Sequence, residues 1–156
     1  MSRVLRMYNT LCGFPLGRYF FSKIICVIAP YFRTIKPRFI ELKPGYCEVT
    51  MKNRRAVRNH INSVHAIAMC NLCELVGGTA LDVSLPGHLR WIPRGMKVEY
   101  LKIAKTDLRG TCTISENAVT GEGPLPVTVH VTDKNGTEVM RAIIDMHVTE
   151  RKKNTD

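Results

Sequence analysis

The stretch Ala66–Gly78, AIAMCNLCELVGG, is almost wholly apolar and yet carries two strongly polar side chains, Asn71 and Glu74. Its length, alanine content and terminal glycines favour a helix over a strand. A helix that is apolar on nearly all sides has to be surrounded by other elements, so this one is predicted to lie at the centre of the fold. The residues expected to cap it are Asn62 or Ser63 at its start, and Gly77 with Gly78 at its end.

A carboxylate in such a helix needs an explanation. An unpaired buried carboxylate costs several kcal/mol, which is large against a total stability of roughly 5–15 kcal/mol for a domain. The Glu74 carboxylate is therefore expected to be paired, hydrated or used in chemistry. Asn71 lies on the same side of the helix, where it can hydrogen-bond Glu74 or help to line a polar pocket. The purely structural alternative is a glutamate that faces a water-filled interface and does no chemistry.

Strand patterns flank the predicted helix on both sides. Before it, RFIELKPGYCEVTMK alternates on either side of the turn pair Pro44–Gly45, with Ile40 and Leu42 on one parity, which predicts a hairpin. After it come four β-rich segments, MKVEYLKIA, GTCTISENAV, LPVTVHVTD and TEVMRAIIDMHVT. These elements predict an α+β fold in which a curved antiparallel sheet wraps round one central helix, with extra helices at the N-terminus.

The last hairpin can be predicted in register. The pair Asn135–Gly136 indicates a two-residue type I′ turn, in which Lys134 faces Thr137. Counting outward from that turn gives the pairs Val131 with Met140, Val129 with Ala142, and Val127 with Ile144. This register places apolar residues on one face and polar residues on the other, so it separates core from solvent.

The first 40 residues differ in kind from the rest. They contain seven Lys or Arg, no Asp or Glu, and eight of the eleven aromatic residues of the chain. Arg18, Lys23 and Pro30 interrupt the apolar run, so neither a signal peptide nor a membrane span is predicted. Two accounts stay open, namely amphipathic helices packed on the domain and a basic surface that rests on anionic lipid. We expect one domain, with an N-terminal helical extension over 1–36 and the core over 37–150.

The net charge of +10 favours an anionic partner. Nucleic acid is not predicted, because no helix-turn-helix, zinc finger or aromatic-studded sheet pattern accompanies the charge. The six cysteines lie mostly inside apolar runs, which indicates reduced thiols in the cytoplasm. Cys70 and Cys73 form a C-x-x-C that His60 or His65 could extend to a metal set. A second well-spaced pair is missing, so no metal site is predicted.

The residues around the helix start resemble those of the hotdog-fold thioesterases, most closely the phenylacetate-pathway (PaaI-like) branch and its uncharacterised relatives. In that branch the pattern is Asn, two residues, Gly, two residues, His-Gly-Gly, and then Asp or Glu nine positions after the His. Asn59, His65 and Glu74 match this pattern here, whereas Asn62 stands at the Gly and Ala66–Ile67 at the two glycines. The resemblance covers roughly residues 38–148 in its order of elements.

The resemblance implies hydrolysis of an acyl thioester, with coenzyme A or a carrier protein as the thiol and no cofactor beyond the coenzyme A of the substrate. It implies Glu74 as general base or nucleophile, and His65 with Asn59 as positioning groups. The N–H groups of Ala66 and Ile67 would hold the oxyanion, since the first N–H groups of a helix lack intrahelical partners and carry the positive end of its dipole. Side chains at these two positions would narrow the site or change the substrate.

The spacing of the motif predicts a shared site. His65 and Glu74 are nine residues apart, which puts them on opposite sides of a helix and about 13 Å apart along its axis. One helix therefore cannot assemble the site, whereas two antiparallel helices related by a two-fold axis can. We predict a homodimer with two shared active sites, and leave open whether dimers pair into tetramers.

Four basic residues are candidates for the phosphates of coenzyme A, namely Arg58 before the helix and Arg90, Arg94 and Lys97 around GHLRWIPRGMK. Solvated loops are the plainer interpretation of these stretches. A second function is a non-catalytic module that holds an acyl thioester or lipid, and uses its basic N-terminal segment to contact a membrane or another protein. The hotdog dehydratases rank last, because their Asp and His pair has a different spacing.

Overall fold

The structure is a computed structural model that describes residues 1–119 and 121–151, with Glu116 described by its backbone alone. The helices are α1 (Arg3–Cys12), α2 (Gly17–Ile28) and α3 (Ala66–Ser84), with short 3₁₀ turns at Pro30–Thr34, Arg55–Val57 and Glu116–Ala118. The strands are β1 (Arg38–Lys43), β2 (Tyr46–Met51), β3 (Leu89–Tyr100), β4 (Leu108–Thr113), β5 (Gly123–Asp133) and β6 (Glu138–Glu150).

The six strands form one antiparallel sheet in the order β1-β2-β4-β5-β6-β3. The sheet curves round α3, which packs against every strand and buries Leu72, Val76 and Leu81 completely. By length and composition α3 could cross a membrane, but most of it is buried in the fold, as is usual for a core helix. The predicted α+β architecture, a curved sheet round one central helix, is confirmed.

The central helix does not end at the glycine pair, as the sequence suggested, but runs on to Ser84. A β-carbon on Gly77 would lie 3.0 Å from Ile144 on β6, and one on Gly78 would lie 2.5 Å from the ring of Trp91 on β3. The two glycines therefore allow close packing of the helix on the sheet. Their predicted role as a helix stop is wrong, because tertiary contacts outweigh the local preference of glycine for helix ends.

The β1–β2 hairpin forms as predicted, with a difference on its apolar side. The register shifts between Phe39 and Glu41, and the bulge turns Phe39 and Leu42 towards the core. Ile40, predicted to share a face with Leu42, is only half-buried. A bulge adds one residue to a strand and so reverses the parity of the residues beyond it.

All three valine pairs predicted for the β5–β6 hairpin are confirmed. The turn itself is longer than predicted: the N–H of Asp133 donates to Thr137 O at 2.9 Å, and Gly136 is the turn residue with positive φ, at 81°. This is a three-residue loop with a bulge, and a register shift between Val131 and Thr132 compensates for the added residue. The extra loop residue and the bulge each shift the register by one residue in opposite directions, so the pairs in the core are the predicted ones.

Strand β3 begins at Leu89, so the segment that carries Arg90, Arg94 and Lys97 is a strand and not a loop. It forms one edge of the sheet, with a register shift after Pro93. Proline fits this place because a residue at a sheet edge or bulge can lack an N–H donor. Among the residues that the structure describes, no strand pairs with the outer backbone edge of β3, which is twelve residues long.

The N-terminal helices cover the opposite edge. Phe21 on α2 packs edge-to-face between Tyr8 on α1 and Phe39 on β1, with ring centroids 5.0 and 4.9 Å apart. The hydroxyl of Ser22 accepts a hydrogen bond from the N–H of Phe39 at 2.9 Å, and so satisfies a donor at the edge of β1. The sheet thus has one edge covered by its own helices and one open edge, that of β3.

Candidate functional site

The start of α3 is capped by His65 and not by Asn62 or Ser63. Its ring Nδ1 accepts a hydrogen bond from the N–H of Ile67 at 3.1 Å. The N–H of Ala66 is the first of the helix and has no intrahelical partner. Of the two predicted oxyanion donors, Ala66 is therefore open and Ile67 is held by an exposed imidazole that another acceptor can replace.

The loop before the helix is organised by Asn59. Its side-chain Oδ1 accepts from the N–H groups of Ile61 and Ser63, both at 3.1 Å, and its Nδ2 donates to the Ser63 hydroxyl at 2.8 Å. Asn62 has φ of 59°, the left-handed conformation expected from its match to the glycine of the PaaI-like pattern. Asn59 thus positions the loop that leads into the helix, and Ser63 belongs to that loop.

Glu74 is exposed in the single chain. It lies on a stripe of α3 with Ile67, which is 56% exposed, and Cys70, which is partly exposed. Ile67 and Glu74 are seven residues apart, so they share one side of the helix and lie about 10 Å apart along its axis. The opposition of His65 and Glu74 across the helix stays a prediction, and the separation of Ile67 from Glu74 is too large for one reacting carbonyl in a single chain to reach both.

Asn71 is buried and does not reach Glu74. Its Nδ2 donates to the Thr34 hydroxyl at 3.0 Å, and the guanidinium of Arg54 donates to the carbonyl oxygen of Thr34. The Asn71 amide thus ties the 3₁₀ turn Pro30–Thr34 to the central helix. Among the residues that the structure describes, its Oδ1 has no hydrogen-bond partner.

Tyr100, at the end of β3, is a site residue that the sequence analysis missed. Its hydroxyl lies 3.5 Å from the Sγ of Cys70, one helical turn before Glu74. This hydrogen bond, together with burial, raises the pKa of Tyr100 to about 12, so the phenol stays neutral in the physiological range. The alternation of β3 was a usable signal, since it puts Tyr100 on the same side of the strand as Val98 and Met96, towards the helix.

Exposed apolar side chains surround these groups. Tyr100 is 51% exposed, Leu101 44% and Ile103 66%. Ile103 stands next to Ala104, whose carbonyl oxygen accepts from the Val64 N–H just before the helix. We call the following set the α3 face: Ile67, Cys70, Glu74, Tyr100, Leu101 and Ile103.

The four candidate coenzyme A cations do not gather at one place. Arg58 lies beside the helix start, where its Nε donates to Asn53 Oδ1 at 2.8 Å. Arg90 and Lys97 pair with β6 residues on the side of the sheet that faces away from α3, and Arg94 sits in the β3 bulge. Of these four, only Arg58 lies in the loop that leads into the helix, where it forms a β-bridge with Val64.

The two cysteines of the C-x-x-C point in different directions. Cys73 is buried in the core, which raises the pKa of its thiol, whereas Cys70 is partly exposed on the α3 face. Within 1–119 and 121–151, no group of three or more His, Cys, Asp or Glu side chains is placed to hold a metal ion.

Comparison with known proteins places this geometry in a family. Residues 17–148 match the family model described as Domain of unknown function (DUF4442). A crystal structure known only as a genomics target is 45% identical, with a TM-score of 0.85, over 96% of this chain and 98% of that one. None of the curated proteins matches the chain.

More distant structures carry functional descriptions. A protein of unknown function from Pseudomonas aeruginosa, described as a probable thioesterase, has a TM-score of 0.73 at 22% identity, over 78% of this chain and 88% of that one. A thioesterase from Haemophilus influenzae has a TM-score of 0.70 at 11% identity, over 81% and 87%. These likenesses confirm the hotdog fold of thioesterases. They do not single out the PaaI-like branch, which stays a prediction.

Proposed function

We propose that the chain, which belongs to the DUF4442 family, hydrolyses acyl-CoA thioesters at a site shared by two copies of itself. The observation that carries the proposal is the place of Glu74. Its carboxylate lies on an exposed apolar face of a fold found in thioesterases, on the same side of α3 as Ile67 at the helix start.

The open edge of β3 supports a second copy as the cover of this face. A long unpaired strand offers a row of N–H and C=O groups that another strand can pair with. Tyr100 and Leu101 stand at the end of β3, so a copy paired along this edge lies against the α3 face as well. Two-fold pairing of this kind uses the same surface on both copies, and therefore gives a closed dimer with two sites. Pairing of such dimers into tetramers is left to measurement.

The distances within one chain also favour two copies. Glu74 lies about 10 Å along the helix from the Ile67 N–H, whereas one reacting carbonyl has to lie within about 3 Å of both the base and the oxyanion donors. Antiparallel α3 helices from two copies would bring Glu74 of one copy towards the Ala66 and Ile67 amides of the other. Arg58, in the loop that leads into the helix, is the candidate for contact with a coenzyme A phosphate.

The proposed reaction uses each group in one role. Glu74 takes a proton from a water molecule as the water oxygen attacks the thioester carbonyl carbon, or its own oxygen attacks as nucleophile. The negative charge that develops on the carbonyl oxygen is held by the N–H of Ala66 and by that of Ile67, which leaves the His65 ring for the oxyanion. The C–S bond then breaks, and the leaving thiolate takes up the proton that Glu74 removed from water, which gives free acid and coenzyme A. In the nucleophilic route, cleavage of the C–S bond leaves an acyl anhydride on Glu74, and a water molecule hydrolyses it to the free acid and the original carboxylate.

The test is Glu74→Gln in the full-length protein, assayed on a panel of acyl-CoA substrates. Loss of the base is expected to lower kcat by about 10²–10⁴-fold, while light scattering still reports the wild-type oligomer. The matched control is Glu99→Gln, which removes an exposed carboxylate from β3 opposite Arg141, away from the helix, and is expected to keep activity. Full activity of Glu74→Gln would show that the assignment is wrong.

The N-terminal helices favour a second role that is compatible with hydrolysis or with a non-catalytic acyl-binding module. Large apolar side chains are exposed there, and the charged residues among the first 40 are all Lys or Arg. We call this set the N-terminal face: Phe14, Leu16, Phe20, Val27, Ile28 and Tyr31. Apolar residues among cations are typical of contact with an anionic membrane surface. The free state of all six cysteines agrees with the proposed cytoplasmic location.

A further inference from the structure

A cleft of about 1110 Å³ lies between α2 and one end of the sheet. One wall is formed by α2 from Tyr19 to Val27. The other is formed by the end of β2, the start of β4, and the end of β5 with its turn. None of the groups proposed for hydrolysis, which are Asn59, His65, Ala66, Ile67 and Glu74, lines it. The cleft is therefore a second candidate site, separate from the α3 face.

The cleft is strongly cationic. Eight Lys and Arg side chains line it and only two carboxylates, those of Asp107 and Asp133, oppose them. Both carboxylates are occupied by backbone donors: Asp107 accepts from the Asn53 N–H at 2.8 Å, and Asp133 accepts from two N–H groups of its own turn at 2.8 and 2.9 Å. The two carboxylates thus bind backbone N–H groups of nearby loops. They do not neutralise the eight cations, so the cleft keeps a net positive charge.

Most of these cations have no acidic partner. Of the eight, counted within the described residues, only Arg109 forms an ion pair, with Glu48 at 2.6 Å. The Nε of Arg54 is buried and has no hydrogen-bond partner there either. Like charges that converge on a concave surface repel each other and concentrate counter-ions, so the arrangement favours a ligand with several negative charges.

The floor of the cleft is partly apolar. Cys26 and Val27 contribute from α2, while Met51 and Leu108 contribute from the ends of β2 and β4. Val27 also belongs to the N-terminal face, so the cleft opens beside that exposed apolar surface. A small inorganic anion would use the charge but not this floor.

We propose that the cleft binds the phosphate groups of an amphiphilic phosphate ester. Lys and Arg side chains from several elements contact the phosphate oxygens, and the apolar floor contacts the part of the ligand next to them. Two sources share this chemistry, namely the head group of an anionic phospholipid and a soluble ester such as a coenzyme A thioester. The binding does not require Glu74, so it stands or falls independently of the proposed hydrolysis.

The test compares two double variants that each remove two positive charges. Lys52→Gln with Lys134→Gln removes lysines from the sheet wall of the cleft, outside the exposed apolar residues of α2. Lys102→Gln with Lys105→Gln removes two exposed lysines that do not line the cleft. The probes are phosphatidylcholine vesicles with and without phosphatidic acid, coenzyme A, and inorganic pyrophosphate, none of which is a thioester that the α3 face could hydrolyse.

The cleft variant is expected to bind about tenfold more weakly than wild type, and the control variant within about twofold of it, since each lost phosphate contact lowers affinity modestly. If the cleft variant binds more weakly than the control only with phosphatidic acid vesicles, the ligand is a lipid head group. If it does so only with coenzyme A, the ligand is a soluble ester. Equal loss in both variants would mean a general charge effect and overturn the proposal. Absence of binding to every probe, or binding to pyrophosphate as tight as to either ester, would also overturn it.

Discussion

Two exposed apolar surfaces of this molecule differ in what surrounds them. The α3 face has a carboxylate, Glu74, among its apolar side chains and adjoins the open backbone edge of β3. Within the described part of the chain the N-terminal face adjoins no open strand edge, because α2 covers β1. Its polar neighbours are cations such as Arg18 and Lys23. Exposed apolar area alone indicates that something binds, whereas the polar groups beside it indicate what.

Each surface suits one kind of cover for a physical reason. Unpaired N–H and C=O groups along β3 can be satisfied by the backbone of another strand, and a two-fold copy supplies one. A bilayer offers no such strand, but its anionic head groups attract the cations of the N-terminal face while its acyl region takes up side chains such as Val27. On this comparison rests the proposal that a second copy covers the α3 face and lipid the N-terminal face.

The largest expected effect is on the oligomer. Leu101→Asp with Ile103→Asp places two charges on the α3 face, and burying each apolar side chain otherwise contributes about 1.5–3 kcal/mol. The dimer is expected to dissociate at least about 100-fold more readily, and hydrolysis is expected to fall with it because each site needs both copies. Light scattering over a dilution series, with activity measured on the same samples, checks both outcomes.

The matched variant for that experiment is Val27→Asp with Ile28→Asp, which puts the same two charges on the N-terminal face. It is expected to keep both the dimer and the activity. An active monomer of the Leu101 and Ile103 variant would contradict the shared site, since it would show that one chain completes the reaction alone.

The next effect is on membrane binding. Val27 and Ile28 are 77% and 67% exposed, so their replacement by Asp leaves the core intact. Cosedimentation with vesicles that contain an anionic phospholipid is expected to weaken about 100-fold, from the loss of two apolar contacts and the added repulsion. The Leu101 and Ile103 variant should bind such vesicles as wild type does, once counted per chain. Equal binding by the two variants would remove the distinction between the faces.

What the sequence could predict was set by local rules. The register of β5 and β6 follows from period-two alternation, and it survived an error in the turn because the bulge after Val131 compensates. The left-handed conformation of Asn62 was recognisable because Asn62 aligns with the glycine of the PaaI-like pattern. The central helix and the antiparallel strands were predictable because their periodic patterns are long.

What the sequence could not show depends on contacts between distant segments. Gly78 looks like a helix stop until Trp91 is seen packed against it. Pro93 and Gly95 look like loop residues in the sequence, although an edge strand with a bulge accommodates both. Tyr100 joined the candidate site only through its contact with Cys70. The basic cleft is assembled from several separate stretches of the chain, so no single motif marks it.

The smallest expected effect is on the pKa of one hydroxyl of the α3 face, that of Tyr100. The pKa of Tyr100 is raised to about 12, first by its hydrogen bond to Cys70 and then by burial, against about 10 for an exposed tyrosine. The difference in phenolate absorbance between wild type and Tyr100→Phe reports this group alone. We expect a midpoint well above that of an exposed tyrosine, which Cys70→Ala lowers. The neutral phenol is the form that folding favours, so the contact stabilises the fold fully below about pH 10 and ceases to do so as the pH rises through 12.

The same titration separates a covered from an open α3 face. In the Leu101→Asp and Ile103→Asp variant the face is exposed to water, although the added carboxylates also disfavour the phenolate. Leu101→Ser with Ile103→Ser disrupts the apolar contact without adding charge, and is the better monomer for this comparison. We expect the dimer to titrate at higher pH than this monomer, because a second copy desolvates Tyr100 further. Identical midpoints in dimer and monomer would mean that the second copy binds elsewhere, and would remove Tyr100 from the shared site.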